Sequence, residues 1–224
     1  MIALASVLVP AALTLSVPAL ANDTLPPGVW TNTEDVYFAE EEGREKAADV
    51  MIEVAQDTHR RTRWRWIDAF GAPRREWSEA PIPGLTRREG GSGGESGWQV
   101  GQSEIRKARA FSCWVSTRKF ADEDDGSADW TFTRGLITFD QGGRVFVDGK
   151  GEAPDITFRL RNVTWAKGSR NRPSFVLYVH KDDPVRAVSY SWASPDAKLI
   201  GINLRWVQGS WSLSDENAPG GEAR

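Results

Sequence analysis

The sequence predicts an all-β fold: an antiparallel meander of about ten strands that forms a barrel, with a β-sandwich as the alternative. Apolar residues alternate with a period of two through the C-terminal half of the chain. Turn-forming residues separate the alternating runs, and the connections are too short for the crossovers that parallel strands require. An open antiparallel sheet of this size would expose its edges and one apolar face, so we expect the strands to close or to form two layers.

The C-terminal strands begin after Arg109. Phe111, Cys113 and Val115 lie on one face of the first strand, and Trp114 lies on the other face between two serines. The same alternation recurs at 130–134, 145–147, 156–160, 175–179, 188–192, 200–204 and 211–213. Turn formers occupy 140–143, 148–149, 181–184 and 194–196. The pattern therefore predicts a series of antiparallel strands joined by short turns.

The N-terminal segments are less uniform. Residues 29–38 and 61–78 have the composition of strands, and Gly71-Ala72-Pro73 interrupts the second. The segment around 49–56 fits a helical stripe as well as an alternating strand, and we prefer the strand.

The chain has two glycine-rich segments, one inside the predicted domain and one after it. Residues 81–97 include Gly90-Gly91-Ser92-Gly93-Gly94 and predict a flexible loop. Because the chain before this loop would make only a thin core, we expect residues 22–214 to form a single β domain. Residues 215–224 predict a disordered polar tail.

Residues 1–21 have the features of a signal peptide. The segment carries no charged side chain and ends in Ala19-Leu20-Ala21, a pattern that predicts cleavage before Asn22. A retained membrane anchor is the alternative, because the apolar run is near the minimum length that spans a bilayer. An exported chain with a single cysteine is more typical of the periplasm than of a disulfide-rich extracellular protein. We expect a periplasmic or secreted protein with no stable membrane anchor after cleavage.

The charged and nucleophilic residues exclude several function classes. A formal charge of −3 argues against a nucleic-acid partner. His59 and His180 lack partners at metal-ligand spacing, and the acidic run 122–129 does not complete a calcium-loop pattern. Cys113 is expected to be a small buried apolar residue. The Gly-x-Ser-x-Gly match at 90–94 has no apolar strand before it, so we predict no catalytic constellation and no cofactor.

Gly28-Val29-Trp30, just before the first predicted strand, resembles the Gly-x-Trp motif that opens lipocalin-type barrels. The resemblance covers three residues. In that family the tryptophan packs against an arginine near the last strand, and Arg205 could take this part here. The resemblance implies a ligand-binding barrel and transfers no ligand-contacting residues.

An arginine-rich strand is the first candidate binding element. Arg61, Arg63 and Arg65 lie on one face of a predicted strand, where their guanidinium groups could grip an anionic ligand. The alternative is a solvated face whose arginines pair with acidic residues on a neighbouring strand. A second basic cluster extends this patch if the two strands are neighbours. It comprises Arg159, Arg161, Lys167, Arg170 and Arg172.

Tryptophans form the second set of candidates, because the chain holds 11 of them. Most fall inside predicted strands, where large side chains fill the core. Trp114, set between Ser112 and Ser116, is the strongest candidate for a ligand contact. Trp30, Trp77 and Trp98 lie at segment ends beside loops and come next.

Together these features favour an exported non-catalytic binding protein for a small apolar or glycan-like ligand. The alternative is an envelope interaction module that uses the arginine-rich strand to contact a protein or a polyanion. A hydrolase or lyase on a β scaffold ranks third. The sequence does not indicate the oligomeric state.

Overall fold

The structure is a computed structural model that describes residues 24–88, 97–119 and 129–214. Within these ranges the chain forms fourteen strands and one helix, in the order β1 (Gly28–Thr31), α1 (Thr33–Ala39), β2 (Met51–Gln56), β3 (Thr62–Trp66), β4 (Leu85–Arg88), β5 (Gly97–Val100), β6 (Ser103–Ala108), β7 (Ala110–Arg118), β8 (Trp130–Phe139), β9 (Gln141–Val147), β10 (Ile156–Val163), β11 (Ser174–Lys181), β12 (Ala187–Ala193), β13 (Leu199–Asn203) and β14 (Val207–Leu213). The predicted signal peptide, the C-terminal tail, the glycine-rich core of the loop and most of the acidic run lie outside the described residues.

The strands form three antiparallel sheets. One of them is curled into a half-barrel. The first sheet has six strands in the order β3-β2-β1-β6-β5-β4. The other two have four strands each, in the orders β12-β11-β10-β9 and β13-β14-β7-β8. The predicted all-β, antiparallel fold is confirmed. The prediction of a closed barrel is wrong, because backbone hydrogen bonding does not continue from one sheet to the next.

Two bends explain why the sheets stay separate. One residue, Arg109, separates β6 from β7, and one residue, Asp140, separates β8 from β9, so at each point the chain passes directly from one sheet into another. The bends are joined: Arg109 N and Nε donate to the two carboxylate oxygens of Asp140 at 2.7 and 2.6 Å, and Asp140 N donates to Arg109 O at 3.1 Å. Asp140 is only 1% exposed. This buried contact fixes the two corners to each other.

The two four-stranded sheets share one apolar core. Trp211 from β14 packs against Phe158 from β10 with ring centroids 4.8 Å apart, and Phe111 from β7 packs against Phe175 from β11 at 4.9 Å. All four side chains are fully buried. Since each pair joins one sheet to the other, side chains fill the space between the two layers. Cys113 is also buried there, as predicted, and burial raises the pKa of its thiol to about 12.

The C-terminal strands agree with the predicted alternation, whereas the N-terminal half departs from it. Residues 33–39 form α1 rather than a continuation of the predicted strand, and Glu34 and Asp35 in its first turn favour a helix start. Residues 67–78 contribute two isolated bridges instead of a strand. The predicted loop 81–97 contains β4 and the first residue of β5. These two strands pair with each other and pack Leu85, Trp98 and Val100 against an apolar cluster. The predicted strand at 49–56 is confirmed as β2.

Candidate functional site

We call Arg61, Arg63 and Arg65 the arginine strip. Arg63 and Arg65 lie on β3 and Arg61 directly precedes it, and neighbouring carboxylates balance two of the three charges. Arg65 Nε donates to Glu53 Oε2 at 2.7 Å, and Glu53 is its direct cross-strand partner on β2. Arg61 pairs with Asp57 at 2.7 Å and with Glu79 at 3.5 Å. The strip is therefore largely neutralised by the chain itself.

Trp77 is brought against the same strip. The guanidinium carbons of Arg63 and Arg65 lie 4.7 and 4.4 Å from the centroid of its ring. This contact joins three of the seven predicted site residues in a cation-π stack. The second basic cluster does not extend it, because Arg159 and Arg161 lie on β10 in a different sheet.

The other three predicted tryptophans lie apart. Trp30 is buried in the apolar cluster of the six-stranded sheet, with Nε1 donating to Pro26 O at 2.9 Å. Trp98 is half-buried against the same cluster. Trp114 is exposed on β7, with its ring centroid 6.2 Å from that of Phe132. The seven predicted residues therefore form no single site, and Trp30 and Trp98 serve as core.

A polar groove of about 710 Å³ is lined by α1 and the segment after it, by β4 to β6, and by the segment after β10. Its charged side chains largely satisfy one another. Arg44 pairs with Asp35 at 3.0 Å and with Glu42 at 2.7 Å, and Arg106 pairs with Glu104 at 3.0 Å. Such a lining suits water and polar solutes better than an apolar ligand.

The outer face of the β9–β12 sheet, turned away from the shared core, carries a different arrangement. Cross-strand register places Arg144, Arg159, Tyr178 and Tyr190 in one row across the four strands. In a parallel row, Arg161 is opposite Val176, which is opposite Trp192. Because directly opposed side chains on one face are neighbours, the face carries arginines on β9 and β10, with exposed Phe146 beside Arg144, and aromatic residues on β11 and β12.

We call Tyr37, Tyr178, Tyr190 and Trp192 the aromatic face. Tyr190 and Trp192 are 65% and 71% exposed, and the ring centroids of Tyr178 and Tyr190 are 6.5 Å apart. Burial raises the pKa of Tyr178, and neighbouring Arg161 opposes that rise. Two large exposed rings therefore lie two residues apart on the same face of β12.

A buried ion pair holds α1 against this sheet and so fixes the position of Tyr37. Arg161 Nε and Nη2 donate to the two carboxylate oxygens of Glu34 at 2.6 and 2.8 Å. The two side chains are 5% and 3% exposed. The Arg161 guanidinium also lies 3.8 Å from the centroid of the Tyr37 ring. The helix therefore contributes one ring to the aromatic face in a fixed position.

No protein family model, curated protein or solved structure matches this chain. The resemblance to lipocalins thus gains no support from known proteins. Trp30 lies on β1 of the six-stranded sheet, and Arg205 lies in the turn between β13 and β14 of another sheet. Among the described residues, no three His, Cys, Asp or Glu side chains are grouped as metal ligands would be. The helix that the structure describes lacks the length and apolar character needed to cross a bilayer.

Sequence reasoning missed the aromatic face because it assigned Val188, Tyr190 and Trp192 to a core-facing alternation. In the structure these side chains point to solvent, and Ala193 on the opposite face packs against the shared core. A signal for this inversion is present in the sequence. The residues that alternate with these side chains on β12, Ser189, Ser191 and Ala193, are all small.

Proposed function

We propose that this chain is an exported, non-catalytic glycan-binding protein whose ligand lies on the aromatic face. The observation that carries the proposal is the exposure of Tyr190 and Trp192 side by side on β12. The face of an aromatic ring is electron-rich and attracts the weakly positive C–H hydrogens of a sugar ring. Nearby polar groups, such as the Tyr hydroxyls, suit the sugar hydroxyls.

The filled core between the two four-stranded sheets and the polar lining of the groove favour a glycan over a small apolar ligand. A hollow barrel would hold an apolar ligand inside, but here Trp211, Phe158, Phe111 and Phe175 occupy the space between the two sheets. The groove beside α1 is lined mainly by charged and polar side chains. An open, aromatic surface with arginines at its edge suits an extended polar chain.

The arginine strip on β3 is a weaker basis for function. Its guanidinium groups already contact Glu53, Asp57, Glu79 or the ring of Trp77. A polyanion would have to displace these partners, which reduces the net gain from binding.

Binding to soluble polysaccharides tests the proposal. Affinity electrophoresis of the wild-type protein in gels that contain β-glucan, xylan, alginate or dextran sulfate is expected to show retardation by at least one polymer. Tyr190→Ala combined with Trp192→Ala should weaken that binding by about tenfold or more, because two ring contacts are lost.

The matched control is Trp114→Ala combined with Phe132→Ala, which removes an exposed aromatic pair from the other four-stranded sheet. We expect this variant to bind like the wild type. Retardation by none of the polymers, or equal loss in the two double variants, would overturn the proposal.

A further inference from the structure

The cationic end of the same outer face forms a second feature. Arg144 on β9 is directly opposite Arg159 on β10. His180 on β11 is opposite Thr157, two positions from Arg159 along β10, so it lies diagonally next to Arg159 on the same face. We call Arg144, Arg159 and His180 the cationic cluster.

The two arginines of the cluster have no carboxylate partner within the described part of the chain. Nε of Arg159 is buried and has no hydrogen-bond partner there. Both ring nitrogens of His180 are also buried and have no partner at full hydrogen-bond geometry, although the nearby Arg186 backbone favours the protonated ring, and the residue is 4% exposed. The Arg144 side chain donates to Pro184 O at 2.8 Å. The ion pairs of the described residues involve neither Arg144 nor Arg159.

Nearby carboxylates are bound elsewhere. Glu34 accepts both hydrogen bonds from Arg161. Asp49 accepts the hydroxyl of Thr33 at 2.8 Å, and Asp183 accepts the backbone N–H of Val185 at 2.8 Å. Two arginines and a histidine therefore lie together, and no carboxylate of the described residues forms an ion pair with either arginine.

This arrangement disfavours the charged forms of the three side chains. Burial, followed by the charges of Arg161 and Arg144, lowers the pKa of Arg159 to about 10. Burial also lowers the pKa of Arg144. The pKa of His180 is lowered first by burial and then by Arg144 and Arg159. An uncompensated group of this kind is costly unless an external anion joins it.

We infer that the cationic cluster is a subsite for one oxyanion group: a sulfate, a phosphate or a carboxylate. The planar guanidinium fork offers parallel N–H donors to two oxygens of such a group, and a protonated His180 would supply a further donor. The inference goes beyond glycan binding and does not depend on it. Arg159 adjoins Tyr178 in one row, so an acidic substituent on a glycan over the aromatic face would also reach the cluster.

NMR of the two histidines tests the inference, because His59 is an internal control. His59 is exposed and lies in the turn before β3, outside the β9–β12 sheet. Titration with inorganic sulfate or phosphate should shift the imidazole signals of His180 saturably and raise its pKa, leaving His59 unmoved. Sodium chloride at matched ionic strength controls for screening. Signals of His180 that do not move, or that move in parallel with His59 in both salts, would overturn the subsite.

Matched arginine variants locate the anion. Arg159→Met is expected to weaken sulfate binding by about tenfold or more, since charge-assisted hydrogen bonds are lost. Arg63→Met removes an arginine from β3 and should leave the sulfate affinity unchanged. Arg144→Met provides a second variant if Arg159→Met does not fold. Equal affinity in the wild type and in Arg159→Met or Arg144→Met would contradict the assignment.

The source of the oxyanion is decided by parallel titrations with sulfated dextran oligosaccharides, alginate oligosaccharides and neutral β-glucan oligosaccharides. Tighter binding of an acidic oligosaccharide than of inorganic sulfate assigns the group to a glycan. Binding of inorganic anion alone assigns it to a free ion and counts against the glycan proposal. Neutral oligosaccharides that shift Trp192 without any anion effect on His180 would support glycan binding and refute the subsite.

Discussion

Two groups of arginines in this molecule lie in different electrostatic environments. Arg61, directly before β3, and Arg65 on β3 have carboxylate partners, whereas Arg63 stacks on Trp77 and its buried Nε has no hydrogen-bond partner among the described residues. On the β9–β12 sheet, Arg144 and Arg159 oppose each other, and neither forms an ion pair with the described residues. The comparison shows that a dense run of arginines does not by itself mark a binding site. Whether an arginine can bind an external anion depends on which residues lie opposite it on the neighbouring strand.

The aromatic residues show the same contrast. Trp30 and Trp98 belong to the apolar cluster of the six-stranded sheet, where they stabilise the fold. Tyr190 and Trp192 lie on an outer face that the shared core does not cover. A ring therefore becomes available to a ligand when small residues occupy the core side of its strand.

Removing one carboxylate from each region should produce the largest difference in the free energy of unfolding. Glu34→Ala leaves Arg161 buried without its partner and is expected to lower the free energy of unfolding by about 3–5 kcal/mol. Glu53→Ala removes the more exposed partner of Arg65 and should cost about 0–1 kcal/mol. Urea denaturation of both variants checks this. Similar losses would mean that the Glu34–Arg161 contact is no more important than a surface ion pair.

Removing an arginine should change the free energy of unfolding in opposite directions in the two regions. Arg159→Met deletes a buried cation without a counter-charge and is expected to raise the free energy of unfolding by about 1 kcal/mol or more in anion-free buffer. Arg63→Met loses its stacking on Trp77 and should lower stability by about 0.5–1 kcal/mol. The same denaturation measurement applies, and a loss of stability in Arg159→Met would indicate that its charge is compensated within the fold.

The pH dependence of stability gives a smaller effect. Because the pKa of His180 is lowered in the folded state, the unfolded chain binds this proton more readily. Stability is therefore highest above the unfolded value of about 6.5 and decreases as the pH falls towards the folded pKa. The charged groups that influence His180 are Arg144, Arg159 and Asp183, and Arg186 contacts it through its backbone.

Denaturation at several pH values between neutral and mildly acidic conditions measures this slope. His180→Gln is expected to flatten it, whereas His59→Gln, at an exposed position, leaves it unchanged. A slope that persists in His180→Gln would assign the pH dependence to other groups.

The local sequence predicted most of the C-terminal strands, because alternation and turn residues are local signals. It also predicted the pairing of strip arginines with acidic neighbours as one of two outcomes, and Glu53 confirms that outcome for Arg65. It did not predict β4 and β5, whose few apolar residues gain stability from a cluster built by distant strands. The opposition of Arg144 and Arg159 depends on register between separate strands, which local patterns do not encode.

The central claim is that the aromatic face binds the ligand. The indole N–H signals of the tryptophans provide its most direct test. A ¹H–¹⁵N spectrum of the wild-type protein is recorded during titration with β-glucan, xylan, alginate and sulfated dextran oligosaccharides. We predict a saturable shift of the Trp192 signal while the signals of Trp77 and Trp114 remain in place. Shifts of Trp77 or Trp114 with Trp192 unmoved, or no shift with any of these oligosaccharides, would contradict the account.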